Sequence, residues 1–221
     1  MNSLSLLRMT TTFLTLLFLG SPCPTGAATV RFDDGKTGQP PAGWTCTQTG
    51  SGTARWSVEA DPTASSKPNV SSQSGEAAFP VCVKEDARLK DGFIEAKFKT
   101  VSGKEDQAGG VVWRYQDAND YYVCRANALE NNVVLYKVEN GKRKALDIVG
   151  RAGGYGVTEP VAAGDWQTLR VEFTGTRFKV VFNGETLFEV EDATFSEAGL
   201  VGVWTKADSV TRFDDFVFGA P

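Results

Sequence analysis

The chain has 221 residues, with 23 Lys and Arg against 27 Asp and Glu, and no histidine. A formal charge of −4 offers no basic footprint for a phosphate backbone, so nucleic acid is not an expected partner. The missing histidine excludes Ser-His-Asp and Cys-His catalysis and His-ligated metals, leaving carboxylates, Tyr, Lys or a bound ion for any hydrolytic chemistry.

The first stretch, MNSLSLLRMTTTFLTLLFLGSPCPTGAATV, places Arg8 before an apolar run from Phe13 to Gly20 and small residues ending at Ala27 and Ala28. That order predicts a secretory signal peptide over 1–28, removed on export to the periplasm or the extracellular space. The run is shorter than the ~20 residues a membrane span needs, so no span is expected. A lipid anchor on Cys23 fits less well, because Gly20 and Pro22 make a poor acylation motif. Residues 29–221 are then expected to form a single domain. Cys46, Cys82 and Cys124 are an odd set, read either as small buried hydrophobes or as one disulfide and one free thiol.

Strand signals follow, as short runs rich in Val, Phe, Tyr and Thr between Gly, Asn and Asp. ARWSVEAD and NVSSQ read as strands joined by the loop DPTASSKP, and GFIEAKFKT alternates Ile94, Ala96 and Phe98 against Glu95, Lys97 and Lys99. Asn140-Gly141 and Asn183-Gly184 predict two tight hairpins, and Gly175 marks a third, taken together as a meander. Roughly a dozen strands at even spacing predict an all-β fold, a two-sheet antiparallel jelly-roll sandwich. The tetrapeptide RFDD occurs at 31–34 and 212–215, which suggests first and last strands side by side, each with its Phe inward.

VVWRYQDANDYYVCRANA carries the densest chemistry. Strand alternation assigns Val111, Trp113, Tyr115, Tyr122, Cys124 and Ala126 to the core, and Val112, Arg114, Tyr121, Val123, Arg125 and Asn127 to the outer face. The same parity in GLVGVWTK sends Val201 and Val203 inward and Gly202, Trp204 and Lys206 outward. An outward Trp beside fixed donors and acceptors is the pattern of a sugar platform. The candidate ligand residues are therefore Arg114, Tyr121, Arg125, Asn127, Trp204, Lys206 and Glu95, and the candidate partner is a glycan or polysaccharide.

The stretches AGGVVWRYQDANDYYVCRANALENNVVLYKVENGKRKAL, GDWQTLRVEFTGTRFKVVFNGETLFEVED and GLVGVWTKADSVTRFDDFVF resemble bacterial secreted domains of the concanavalin A-like lectin/glucanase superfamily. Within it the chain is similar to the 3-keto-disaccharide hydrolase domain family, with laminin-G-like relatives, from about Phe32 to Phe218. The resemblance implies a jelly roll with a concave sheet. The Glu-x-Asp-x-x-Glu signature of glucan-cleaving relatives is missing, so the resemblance supplies no catalytic residue. The leading expectation is a lectin-like, non-catalytic binding domain. A glycoside hydrolase of the 3-keto-disaccharide type would rest on carboxylates such as Glu95 or Glu130, and an envelope or adhesive domain would have Trp204 buried and its arginines paired. A structural Ca²⁺ is possible at Asp33, Asp34, Asp214 and Asp215.

Overall fold

A computed structural model describes residues 26–151 and 153–221. Residues 1–25, with Cys23 and most of the expected signal peptide, lie outside the described residues, whereas Ala28 already opens the first strand. The strands are β1 (Ala28–Val30), β2 (Trp44–Thr53), β3 (Trp56–Ala60), β4 (Asn69–Gln73), β5 (Glu76–Leu89), β6 (Gly92–Ser102), β7 (Ala108–Asp117) and β8 (Asp120–Asn127). They continue as β9 (Asn132–Glu139), β10 (Lys142–Ala145), β11 (Val157–Thr158), β12 (Gln167–Thr174), β13 (Arg177–Phe182), β14 (Glu185–Glu191), β15 (Gly199–Trp204) and β16 (Val210–Gly219). Every regular element among the described residues is a strand, and no helix is long and apolar enough to cross a membrane.

The strands form two antiparallel sheets, a jelly-roll sandwich. Sheet one runs β14-β13-β12-β6-β16-β4-β3, with β1 added on β16; sheet two runs β10-β9-β8-β7-β15-β5-β2, with β11 added on β9. First and last strands pair as RFDD suggested, Ala28 opposite Phe218, and Phe32 and Phe213 are both buried. The Asn-Gly hairpins form with both central residues at positive φ. They do not make one meander: β9–β10 lies in sheet two, whereas β12–β13–β14 lies in sheet one. Each hairpin is local, but sheet membership is set by which apolar face can be buried.

The core fills the space between the sheets. Ile94, Ala96 and Phe98 of β6 and Leu169, Val171 and Phe173 of β12 face Val111, Trp113, Tyr122, Cys124 and Leu135 of sheet two. Trp113 stacks on Phe173 at 5.9 Å and meets Phe178 edge-on at 5.3 Å, which ties the sheets together. Burying side chains of this size contributes ~1.5–3 kcal/mol each. Cys46 and Cys82, directly opposite on β2 and β5, form a disulfide, and Cys124 stays free and buried.

A bulge in β7 corrects the alternation read from the sequence. Arg114 adopts φ 48°, so Trp113 and Tyr122 remain paired in the core while Tyr115 turns to the outer face beside Tyr121. Gly199 is what the crossing strand can tolerate here, since a Cβ on it would lie 2.3 Å from the Arg114 carbonyl carbon. The Arg114 side chain, expected on the outer face, instead runs into the end of the sandwich and is 1% exposed. Its guanidinium donates to the carbonyls of Lys90 (2.8 Å), Phe195 (2.8 Å) and Gly175 (2.7 Å), and stacks near Phe178 at 5.5 Å. Three loops converge on this one fork.

The DPTASSKP loop covers the outer face of sheet one. Asp61, 1% exposed, receives Lys99 (2.5 Å), Arg212 (2.9 Å) and the Thr63 amide (2.9 Å), and Ser66 donates twice to Asp214. Burial alone would raise the Asp61 carboxyl, but the hydrogen bonds from Lys99, Thr63 and Arg212 outweigh it and hold it well below the usual range.

Two outcomes follow from these contacts. Arg114→Ala should cost about 3 kcal/mol or more in urea denaturation, with Arg114→Lys recovering little because an ammonium cannot reach three carbonyls in a plane; a loss within 0.5 kcal/mol, approximately the ordinary surface value, would remove the clamp. Because the folded pKa of Asp61 is depressed, its contribution is present above the unfolded value near ~3.9 and is lost as pH falls below it. Asp61→Asn should flatten the acid limb of the stability curve; an unchanged limb would show that Asp61 does not drive it.

Candidate functional site

The outer face of sheet two is concave. In a flat sheet β8 and β2, four strand spacings apart, would be separated by ~19 Å. Yet Thr49 of β2 contacts the Tyr121 hydroxyl of β8 at 2.8 Å and donates to the Ala118 carbonyl in the β7–β8 turn, so the sheet curls until its edge strand reaches across the face. The Trp204 indole donates to the same Tyr121 hydroxyl at 3.3 Å. Val81, Val83, Val112, Tyr115, Tyr121, Val123, Tyr136 and Trp204 pack together as the floor of the resulting trough. That second apolar layer explains why β7 and β8 carry hydrophobic residues on both faces.

Polar groups gather at one end of this trough, where β8 and β9 carry Arg125, Asn127 and Asn132. Arg125, fully buried, donates to Glu130 (2.8 Å), to the Tyr136 hydroxyl (3.0 Å) and to the Tyr155 hydroxyl (3.1 Å), as well as to Asn132. Asn127 donates to Asp106 at 2.7 Å, and Asp106 also pairs with Lys206. Beside Lys206 opens a cleft of about 520 Å³ lined by Ser51, Gly52, Glu76, Phe79 and Glu105. Pockets of ~300–1,000 Å³ hold small ligands. Tyr155 stands at the rim, its ring edge-on to Tyr136 and 48% exposed.

Charge within the rim is balanced pairwise. Burial would raise the Glu130 carboxyl, but Asn132, Arg125 and Lys206 outweigh it and keep it below the usual range. Glu130 is therefore an ionised acceptor at neutral pH rather than a proton donor.

Of the residues singled out in the sequence, Tyr121, Arg125, Asn127, Trp204 and Lys206 do lie on this face. Trp204 points outward as its parity requires, but it is 0% exposed, stacked against Phe79 at 5.7 Å, so it is floor rather than platform. Arg114 serves the other end of the sandwich. Glu95 lies on the outer face of sheet one, where Arg170 pairs with it at 3.6 Å, separated from Glu130 by the full thickness of the sandwich. Glu95 and Glu130 cannot flank one glycosidic bond, which requires carboxyls ~5–9.5 Å apart.

The Ca²⁺ expectation is also corrected. No group of three or more metal-ligating side chains occurs among the described residues. Asp33 accepts from the Asn69 amide, Asp214 from Ser66, and Asp215 is neutralised by Lys97 (2.9 Å) and Arg31 (3.3 Å). These carboxylates already have donors, and cations where a metal would compete.

Sequence reasoning missed Tyr155, Asn132, Asp106 and Arg143. Two signals were available: an aromatic isolated in GGYG, and the Asn140-Gly141 hairpin register, which puts Arg143 opposite Val138 on the trough side.

The chain has no match among curated proteins. Among solved structures it is similar to a carbohydrate-binding module, CBM66, from Bacillus subtilis: 20% identity, 79% of this chain and 93% of that one, TM-score 0.62. It is also similar to a cellulose-induced protein, Cip1 (14% identity, 86% and 96% covered, TM-score 0.57), and to a galectin-like protein of unknown function from Bacillus subtilis (10% identity, 80% and 88%, TM-score 0.54). At these identities the likeness establishes the sandwich fold. Residues 28–216 match a family description, and on that match the chain belongs to the 3-keto-alpha-glucoside-1,2-lyase-like domain family.

Proposed function

We propose that this domain binds a saccharide at the rim of the trough and does not cleave it. The observation that carries the reading is Tyr155: an exposed ring whose hydroxyl is fixed by Arg125 and Tyr136, beside acceptors and donors already held in place by one another. The apolar face of a pyranose ring packs on such a platform, while Glu130, Asn132 and Lys206 meet its hydroxyls and the buried Asn127 holds Asp106 in place. The site thus moves from Trp204, where the sequence suggested it, to the rim. The buried Trp204 and the paired arginines are what a purely adhesive domain would also have. The cleft and the exposed platform favour a small ligand over that alternative. Similarity to a carbohydrate-binding module supports the reading by analogy of fold.

The family description favours one enzymatic alternative, a lyase acting on a 3-keto glucoside. There a single base removes the C2 proton made acidic by the neighbouring ketone, the C1–O bond breaks, and the leaving oxygen takes up a proton. Such a reaction needs no carboxylate pair, and the ionised Glu130 suits the base. We also place the protein outside the cytoplasm: the leader-like first residues and the Cys46–Cys82 disulfide support an oxidising compartment.

Tyr155→Ala should weaken oligosaccharide binding by about tenfold, ~1.4 kcal/mol, in isothermal titration, with thermal stability unchanged; wild-type affinity in the variant would put the site elsewhere. Binding should be flat between pH 5 and 8, because Glu130 stays ionised throughout, and should weaken only at pH below the ordinary glutamate range, since Asn132, Arg125 and Lys206 hold its carboxyl down. Incubation with a 3-keto glucoside, followed by proton NMR, separates the two readings. Unchanged ligand signals support binding alone; a released aglycone, lost in Glu130→Gln, makes the protein a lyase.

A further inference from the structure

The trough contains one cation that the rim does not neutralise. Arg143, on the edge strand β10, reaches back over the floor with its guanidinium carbon 4.3 Å from the Tyr136 ring centroid, 4.9 Å from Phe79 and 5.7 Å from Trp204. Arg125 has Glu130 and Lys206 has Asp106, but none of the ion pairs among the described residues involves Arg143. Its Nη1 is buried and has no hydrogen-bond partner, as does Nε of the fully buried Arg125, whereas Arg114 spends its fork on three carbonyls. The residue as a whole is only half-buried.

Aromatic faces hold a guanidinium by its π surface and leave its N–H groups in the plane, free to bond. Rings can therefore fix where Arg143 sits without satisfying what it donates. A buried donor without an acceptor is costly, more so when charged, and native structures rarely leave one unexplained. An immobilised fork with no acceptor fits a planar carboxylate, which accepts two parallel N–H bonds. Glu76 and Glu105 line the neighbouring cleft with Lys206, and no ion pair joins either of them to Arg143.

We infer that Arg143 reads a carboxylate on the bound sugar, so that the ligand class is an acidic saccharide such as a uronic-acid oligomer. This inference rests on the saccharide-binding reading above and adds its charge and the residue that selects for it.

The test compares an oligoglucuronide with a neutral oligoglucoside of the same linkage and length, by titration calorimetry and by the Arg143 Nε–H resonance. Wild-type protein should bind the acidic ligand at least tenfold more tightly and shift that resonance. Arg143→Gln should bring the acidic ligand down to the neutral one, which keeps its own affinity. Arg143→Lys should fail to restore the preference, because an ammonium has the charge but not the fork. Equal affinities in the wild type, or a preference that survives Arg143→Gln, would overturn the inference while leaving saccharide binding intact. Acetate binding as tightly as the oligoglucuronide would mark a plain anion site and overturn it equally. If neither oligosaccharide binds, the saccharide reading falls and the inference with it.

Discussion

A relay of three hydrogen bonds holds the second sheet in its curl: the Trp204 indole donates to Tyr121, Tyr121 to Thr49, and Thr49 to the Ala118 carbonyl. Each hydroxyl both accepts and donates, so the relay is buried without an unmatched group. Bending a sheet until its edge crosses its own face buries polar backbone and side chains that only such pairing can compensate. In return the outer face acquires a second apolar layer, with Val112, Val123 and Trp204 sealed from water. Groups that require solvent or a ligand are pushed to the rim.

The two outer faces consequently differ in kind. Sheet one carries a lattice of opposite charges, Glu95 with Arg170, Arg170 with Glu172, Glu172 with Lys179, all partly exposed and each worth little on its own. Its remaining surface is pinned by the Asp61 and Asp214 contacts of the 61–68 loop. Sheet two instead concentrates its cations over rings and in one polar cluster next to a cleft. The cleft beside that cluster, about 520 Å³, is more spacious than the one of about 360 Å³ beside Phe93 and Arg170 on sheet one.

Much of the fold was legible because its signals are local. The alternation in GFIEAKFKT, the Asn-Gly turns and the pairing of first and last strands all depend on neighbours in sequence or on one repeated tetrapeptide. Val111, Trp113, Tyr122 and Cys124 lie on the core face that alternation predicts, for the same reason. What failed was non-local. A single bulge at Arg114 reversed parity for Tyr115 and turned a presumed ligand residue into a clamp, and no periodicity announces a bulge. Trp204 lies on the face its parity predicts, but only the curl of the sheet decides that this face is closed above it. Glu95 and Arg125 belong to different sheets, a fact that strand patterns alone do not encode. Glu130, a carboxylate that its chemistry marks in the sequence, sits in the cluster; Tyr155 is a loop aromatic and carries no periodic signal.

The central claim is that the rim of the curled sheet, rather than the charged face of sheet one, is where this domain meets a saccharide. Its most direct test is a map of backbone and side-chain NMR shifts on titrating the protein with a panel of neutral and acidic oligosaccharides. Shifts confined to Tyr155, Arg125, Glu130, Asn132 and Lys206, joined by Arg143 for the acidic ligands, are the expected result. Shifts centred on Glu95, Arg170 and Glu172, or none anywhere across the panel, would contradict it.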